Sequence, residues 1–165
     1  MAKKQHSVGT PATVALTKAG VAFTEHTYAH DPAAASYGME AAEALGLDPA
    51  QVFKTLVVSN GGHLAVGIVP VHRTLDLKAM ATALGVKKVE MAAVADAERS
   101  SGYVAGGISP VGQRRALPTV LDASALDHDT IYVSGGRRGF DIGLAPADLV
   151  RTTRAGVAAI AASHT

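Results

Sequence analysis

The chain has 165 residues, 48% of them hydrophobic and only 4% aromatic, and a formal net charge of +1. That length fits one domain with a core built mainly from Ala, Val, Leu and Ile, and so small a charge argues against nonspecific wrapping of nucleic acid. Cysteine is absent, which excludes disulfides, thiolate metal sites and a cysteine nucleophile, and the lack of a bilayer-length apolar run or a signal-like start leads us to expect a cytoplasmic protein without a membrane partner.

Residues 1–9 are polar and aperiodic and read as a flexible tail, leaving 10–165 as the domain. Thr10-Pro11 supplies an N-cap with proline at the first helical position, and Gly20 supplies the stop, so a first amphipathic helix is framed between them. A strand over 23–28 follows, broken by "HDPAAASYG", and a second short helix runs to Leu45 before Gly46. Asp48-Pro49 opens another helical turn. The stretch "KTLVVSNGGHLAVGIVP" then gives two apolar strands joined at Asn60-Gly61-Gly62, a hairpin.

A helix from Asp76 carries Leu77, Met80 and Leu84 and stops at Gly85; a strand over 88–91 and a helix over 94–101 come next. Downstream, "LPTVLDASAL", "TIYVSGG" and "GFDIGLA" have the β-branched content of three short strands. A helix from Pro146 and a final Ala-rich helix after Gly156 close the chain. Strands and helices do not alternate regularly, so the pattern points to a mixed α+β domain around a curved sheet.

The stretch "GYVAGGISPVGQRR", residues 102–115, is the least ordinary passage. It lacks the Lys-Ser/Thr of a P-loop and the spacing of a dinucleotide fingerprint. Gly107 stands two before Ser109, but Val111 stands two after and Pro110 directly follows, so a nucleophile elbow fails as well. Two readings stay open. Either the backbone amides of Gly106, Gly107, Ile108 and Ser109 approach a carbonyl and stabilise negative charge on it, or the glycines simply form a tight turn.

His26 and His30, with Asp31, sit in strand-then-turn context that does not put them on one helical face, and no metal site is expected. The scattered His63, His72, His128 and His164 read as surface. Lys54 opens an apolar strand, where it either snorkels outward or reaches a polar cleft to meet a phosphate or carboxylate, with Thr55 as a neighbouring donor. Asp141 is a lone acid in the apolar "GFDIGLA", which is costly unless it finds a partner. The pairs Lys87-Lys88, Arg114-Arg115 and Arg137-Arg138 form either a basic rim or a solvated face.

Taken in order, "TPATVALTKAGVAFTEHTYAHDP", "GLDPAQVFKTLVV", "LDLKAMATALGVKKVEMA", "ERSSGYVAGGISPVGQRRALPTVLD" and "IYVSGGRRGFDIGLAPADL" resemble the YbaK/EbsC-type aminoacyl-tRNA deacylases, relatives of the editing domain of bacterial prolyl-tRNA synthetases. The resemblance runs from Thr10 to Leu149 and implies a single α+β domain with a mixed, barrel-like sheet flanked by helices. It implies trans-editing hydrolysis of mischarged aminoacyl-tRNA, foremost cysteine on proline tRNA, without a cofactor. Alanine on the same tRNA, or a non-catalytic module holding tRNA ends or a synthetase, are its alternatives.

By this resemblance Lys54 contacts the terminal phosphate or ribose, and Gly107 with Gly106, Ile108 and Ser109 forms the loop at the aminoacyl carbonyl. Tyr28 and Tyr37 line a small pocket, Ser134 and Asp141 form its polar wall, and Thr55 adds a substrate contact. Asp141 either binds the substrate amine or holds the loop. Attack on the ester comes from the substrate's own thiol or from water, so the enzyme's task is orientation and oxyanion stabilisation. The implied partners are mischarged tRNA and, transiently, prolyl-tRNA synthetase.

Overall fold

The computed structural model describes residues 9–34 and 36–162. The expected tail lies, up to residue 8, outside the described residues, as does His164. The first helix, α1 (Pro11–Lys18), begins where Thr10 and Thr13 form a capping box: the Thr13 amide donates to Thr10 Oγ1 and the Thr10 amide to Thr13 Oγ1. Strand β1 (Thr24–Thr27) follows, then α2 (Tyr37–Leu45), capped by Ser36 and ended by Gly46. A 3-10 turn over Pro49–Gln51, capped by Asp48, leads into β2 (Phe53–Asn60).

Strands β2 and β3 (His63–Pro70) form the expected hairpin, in register from Phe53↔Pro70 to Asn60↔His63. Its two linking residues, Gly61 (φ 56°) and Gly62 (φ 91°), both sit in the left-handed region, as a two-residue type I′ turn requires. After it come α3 (Leu77–Leu84, capped by Asp76), β4 (Glu90–Met91) and α4 (Val94–Ser101). The chain then forms β5 (Thr119–Asp122), β6 (Ile131–Arg137), β7 (Phe140–Leu144), α5 (Pro146–Thr153) and β8 (Gly156–Ala158).

The strands divide into two sheets, ordered β1-β7-β6 and β4-β2-β3-β5-β8. The first is antiparallel; the second is mixed, with β3, β5 and β8 parallel. A parallel bridge from Val52 to Tyr132 ties the two together at the start of β2. The main core lies between them and α1, centred on Leu16, Ile68, Leu121, Ile131, Ile142 and Leu149. A second core packs α3 against the larger sheet through Val58, Val69, Met80 and Ile160.

Two expectations are corrected. The strand read through "LPTVLDASAL" stops at Asp122, because its carboxylate accepts hydrogen bonds from the Ser124 amide at 3.2 Å and hydroxyl at 2.5 Å and turns the chain into a 3-10 helix over Ala123–Asp127. The Ala-rich helix after Gly156 is absent: the segment enters the sheet as β8, parallel to β5. The other Asp122 carboxylate oxygen accepts from the Ile160 and Ala161 amides, both at 2.9 Å, and Ile160 is fully buried. Those tertiary partners outweigh the helix propensity of isolated alanines.

Candidate active site

β2 is bridged to β6 at Val52 and paired with β4 only from Val58 onward. Between those points its outer edge has no strand neighbour among the described residues, and a cavity of about 400 Å³ opens there. The size falls in the range of small-molecule sites. Both Lys54 and Thr55 reach it, although adjacent strand residues face opposite ways, because the cavity lies alongside the free edge of the strand.

The opposite wall comes from the smaller sheet. In the β6–β7 register Ser134 stands directly across from Asp141, and across β1–β7 Asp141 stands opposite His26, so all three share one face. The other face carries Val133, Phe140 and Ile142 into the core. Period-two alternation thus delivers Ser134 and Asp141 to the cavity. His26 is otherwise engaged, with Nε2 2.7 Å from Thr24 Oγ1 and its ring edge-on to Tyr132.

Asp141 is 6% exposed, and among the described residues neither carboxylate oxygen has a hydrogen-bond partner. Burial pushes its carboxyl up to about 7. Tyr28, also on the wall, is pushed up to about 12, first by burial and then by the charges of Asp141 and Glu40, so its hydroxyl stays protonated. Burial lowers the Lys54 ammonium from its ordinary value. Lys54 and Asp141 form no ion pair with each other: the cavity holds two desolvated titratable groups on different walls, each without an ion-pair partner among the described residues. Among the described residues the buried Thr55 hydroxyl has no partner either.

The third wall is the loop over residues 104–108. Gly106 has φ +86°, and a Cβ there would stand 2.8 Å from the Tyr37 ring and 2.9 Å from Arg138 Nε. The Arg138 side chain donates to the Ala105 carbonyl at 2.8 Å and lies over the Tyr37 ring, 5.4 Å from its centroid. Tyr37 also neighbours His30, whose Nδ1 is 2.9 Å from Glu40. The loop, the β6–β7 turn and the start of α2 are therefore locked together at the cavity mouth.

Of the residues singled out in the sequence, Lys54, Thr55, Tyr28, Tyr37, Gly106, Ile108, Ser134 and Asp141 all line this one cavity. Gly107 and Ser109 do not. Gly107 is buried with its amide donating to the Val104 carbonyl at 2.9 Å, and a Cβ on it would stand 2.6 Å from the Arg137 backbone. Ser109 is fully buried, and its hydroxyl accepts the Val111 amide at 3.2 Å. Among the described residues the amides of Gly106 and Ile108 have no protein acceptor. Met91 and Val94, exposed apolar residues on the rim, were not anticipated; nothing in their local pattern separates them from core residues.

Residues 31–152 match the family described as the aminoacyl-tRNA editing domain. Over 154 residues, covering 93% of each chain, the sequence is 38% identical to EbsC of Enterococcus faecalis, named as a candidate Cys-tRNA(Pro)/Cys-tRNA(Cys) deacylase. The fold is similar to the crystal structure of a candidate trans-editing enzyme for prolyl-tRNA synthetase, with TM-score 0.79 and 26% identity over 95% of this chain and all of that one. A second crystal structure, of a hypothetical protein, gives TM-score 0.82 at 25% identity over 92% of this chain and 99% of the other.

Proposed function

Because the chain belongs to the aminoacyl-tRNA editing domain family, we propose that it is a deacylase that releases cysteine from mischarged proline tRNA. The observation that carries this reading is the convergence of Lys54, Tyr28, Ser134, Asp141 and the Gly106 loop on one cavity of about 400 Å³. That space holds a small aminoacyl group together with the terminal ribose. In this reading Lys54, unpaired among the described residues, meets the terminal phosphate, and the Thr55 hydroxyl, which has no partner among them, gains one when the substrate oxygen arrives.

The oxyanion donors are assigned to the amides of Gly106 and Ile108, which have no acceptor among the described residues. Gly107 serves the loop sterically, since only a residue without Cβ lets it lie against the Arg137 backbone. Within this frame the cysteine thiol attacks its own ester carbonyl, and holding the two together removes much of the entropic barrier. A net charge of +1 supplies little long-range steering toward tRNA, which favours delivery of the substrate in a transient complex with prolyl-tRNA synthetase.

Release of labelled amino acid from cysteinyl-, alanyl- and prolyl-tRNA(Pro) tests the reading. Cysteine is expected to be released fastest. Lys54→Ala is expected to lower kcat/KM by about 100-fold, the scale of one lost charge-assisted contact. Absence of release from all three substrates overturns the reading, and preferential release of alanine moves it to that amino acid.

A further inference from the structure

The deacylation proposed above needs a proton to leave the attacking thiol and one to reach the departing ribose oxygen. Asp141 is the carboxyl that lines the cavity with little solvent contact. It lies mid-strand in β7, 6% exposed, lines the cavity, and spends neither carboxylate oxygen on a neighbour among the described residues. A carboxylate with a purely structural task would be hydrogen-bonded, as Asp122 is by four donors.

We propose that Asp141 is the proton carrier of the deacylation, a role that rests on the deacylase reading. In its ionised form it removes the proton from the substrate thiol. The sulfur then bonds to the ester carbonyl carbon, placing negative charge on the carbonyl oxygen beside the Gly106 and Ile108 amides. As that charge collapses, the bond from carbon to ribose oxygen breaks and the ribose oxygen takes the proton back from Asp141. The products are a free tRNA hydroxyl and a cyclic thioester of cysteine, which water opens to the amino acid. No co-reactant is consumed in the transfer, and Asp141 returns to its starting form.

The groups around Asp141 fit this role. From β1 comes His26, which is turned toward Thr24 and Tyr132, and from just beyond its end comes Tyr28, which stays protonated. From β6 comes the uncharged Ser134, and from β2 comes Lys54, which forms no ion pair with it. Glu40, on α2, is held by His30 and the Asp31 amide. With no cation clamped on it, the carboxyl is held by burial near neutrality, where both protonation states are available to a general base that must then act as an acid. Binding of the substrate ammonium is the competing role for the same carboxylate, and an N-acetylated substrate separates the two.

Single-turnover deacylation of cysteinyl-tRNA(Pro) and N-acetyl-cysteinyl-tRNA(Pro), from pH 5.5 to 9, provides the test. The wild-type rate is expected to rise through about 7. Asp141→Asn is expected to be slower by about 100-fold or more on both substrates with KM little changed, its rate climbing only with the thiol's own ionisation near about 8.5. Formate is expected to restore part of the rate to Asp141→Ala, a rescue that a structural residue does not give. A defect confined to the free-amine substrate, or an unchanged inflection in Asp141→Asn, overturns the assignment while leaving the deacylase reading intact. A wild-type chain that releases no amino acid overturns both.

Discussion

Thr55 and Asp141 share a property that stability alone does not explain: each is a polar group on the cavity wall with no hydrogen-bond partner among the described residues. An unsatisfied buried hydroxyl costs about 1–3 kcal/mol, and a valine of nearly the same shape removes that cost. Thr55→Val is therefore expected to raise stability by about 1 kcal/mol in urea denaturation while lowering kcat/KM on cysteinyl-tRNA by about tenfold. A variant less stable and equally active would mean that the hydroxyl has a structural partner and no substrate. Gly107 makes the opposite case, as its value lies in what it lacks. A methyl group 2.6 Å from the Arg137 Cα forces loop and turn apart, so Gly107→Ala is expected to cost about 2 kcal/mol by thermal unfolding.

Among the elements, the segment 156–161 is held by the β5 ladder and by two side chains from elsewhere in the chain, Arg73 on the Ala161 carbonyl and Asp122 on two amides. Both oxygens of Asp122 are occupied, one by Ser124 and one by the Ile160 and Ala161 amides. Burial alone raises this carboxyl, but the hydrogen bonds outweigh burial and hold it below the ordinary value. Asp122→Ala leaves two amides without an acceptor and undocks Ile160, which fills the core beside Met80. The expected loss is about 3 kcal/mol, with hydrogen exchange accelerating first in β8. The loop over 104–108 is likewise held from outside, by Arg138 on the Ala105 carbonyl and by the Tyr37 ring against Gly106. Its conformation is thus a property of three elements meeting.

The two buried carboxylates act in opposite senses on the stability of the whole molecule. Asp141 titrates at about 7 in the folded chain against an ordinary 3.8, so folding favours its protonated form. Stability consequently falls as pH rises from about 4 to about 7, by roughly 4 kcal/mol in all. The folded-state carboxyl of Asp122 is depressed, so its contribution is present above the ordinary carboxylate value and is lost as pH drops through the lower folded one. Stability is expected to peak at about pH 4–5. Asp141→Asn is expected to be more stable than wild type at pH 8 and equal to it at pH 4 in denaturant titrations. Equal stability at both pH values would mean that Asp141 is paired or hydrated. Such a trade of stability for an unpaired charge is common at functional sites.

Helix ends and the hairpin turn could be read from the chain alone, because each depends on partners three or four residues away, and the chemically unusual residues because each interrupts an apolar local pattern. Thr10-Pro11, Asp76, Gly46 and Gly85 mark their helices this way, and Gly61-Gly62 marks its turn. Lys54 and Asp141 stood out as charges in apolar strands, and alternation around Ser134 and Asp141 is visible in "YVSGGRRGFDIGL". Long-range pairing decided the rest. The divergence of β2 from β6 after Val52 creates the cavity, the Arg137 backbone lies against Gly107, and Asp122 draws an alanine-rich segment into a strand. Such partners lie tens of residues away, and their register is set by how whole sheets pack, which no local window of sequence contains.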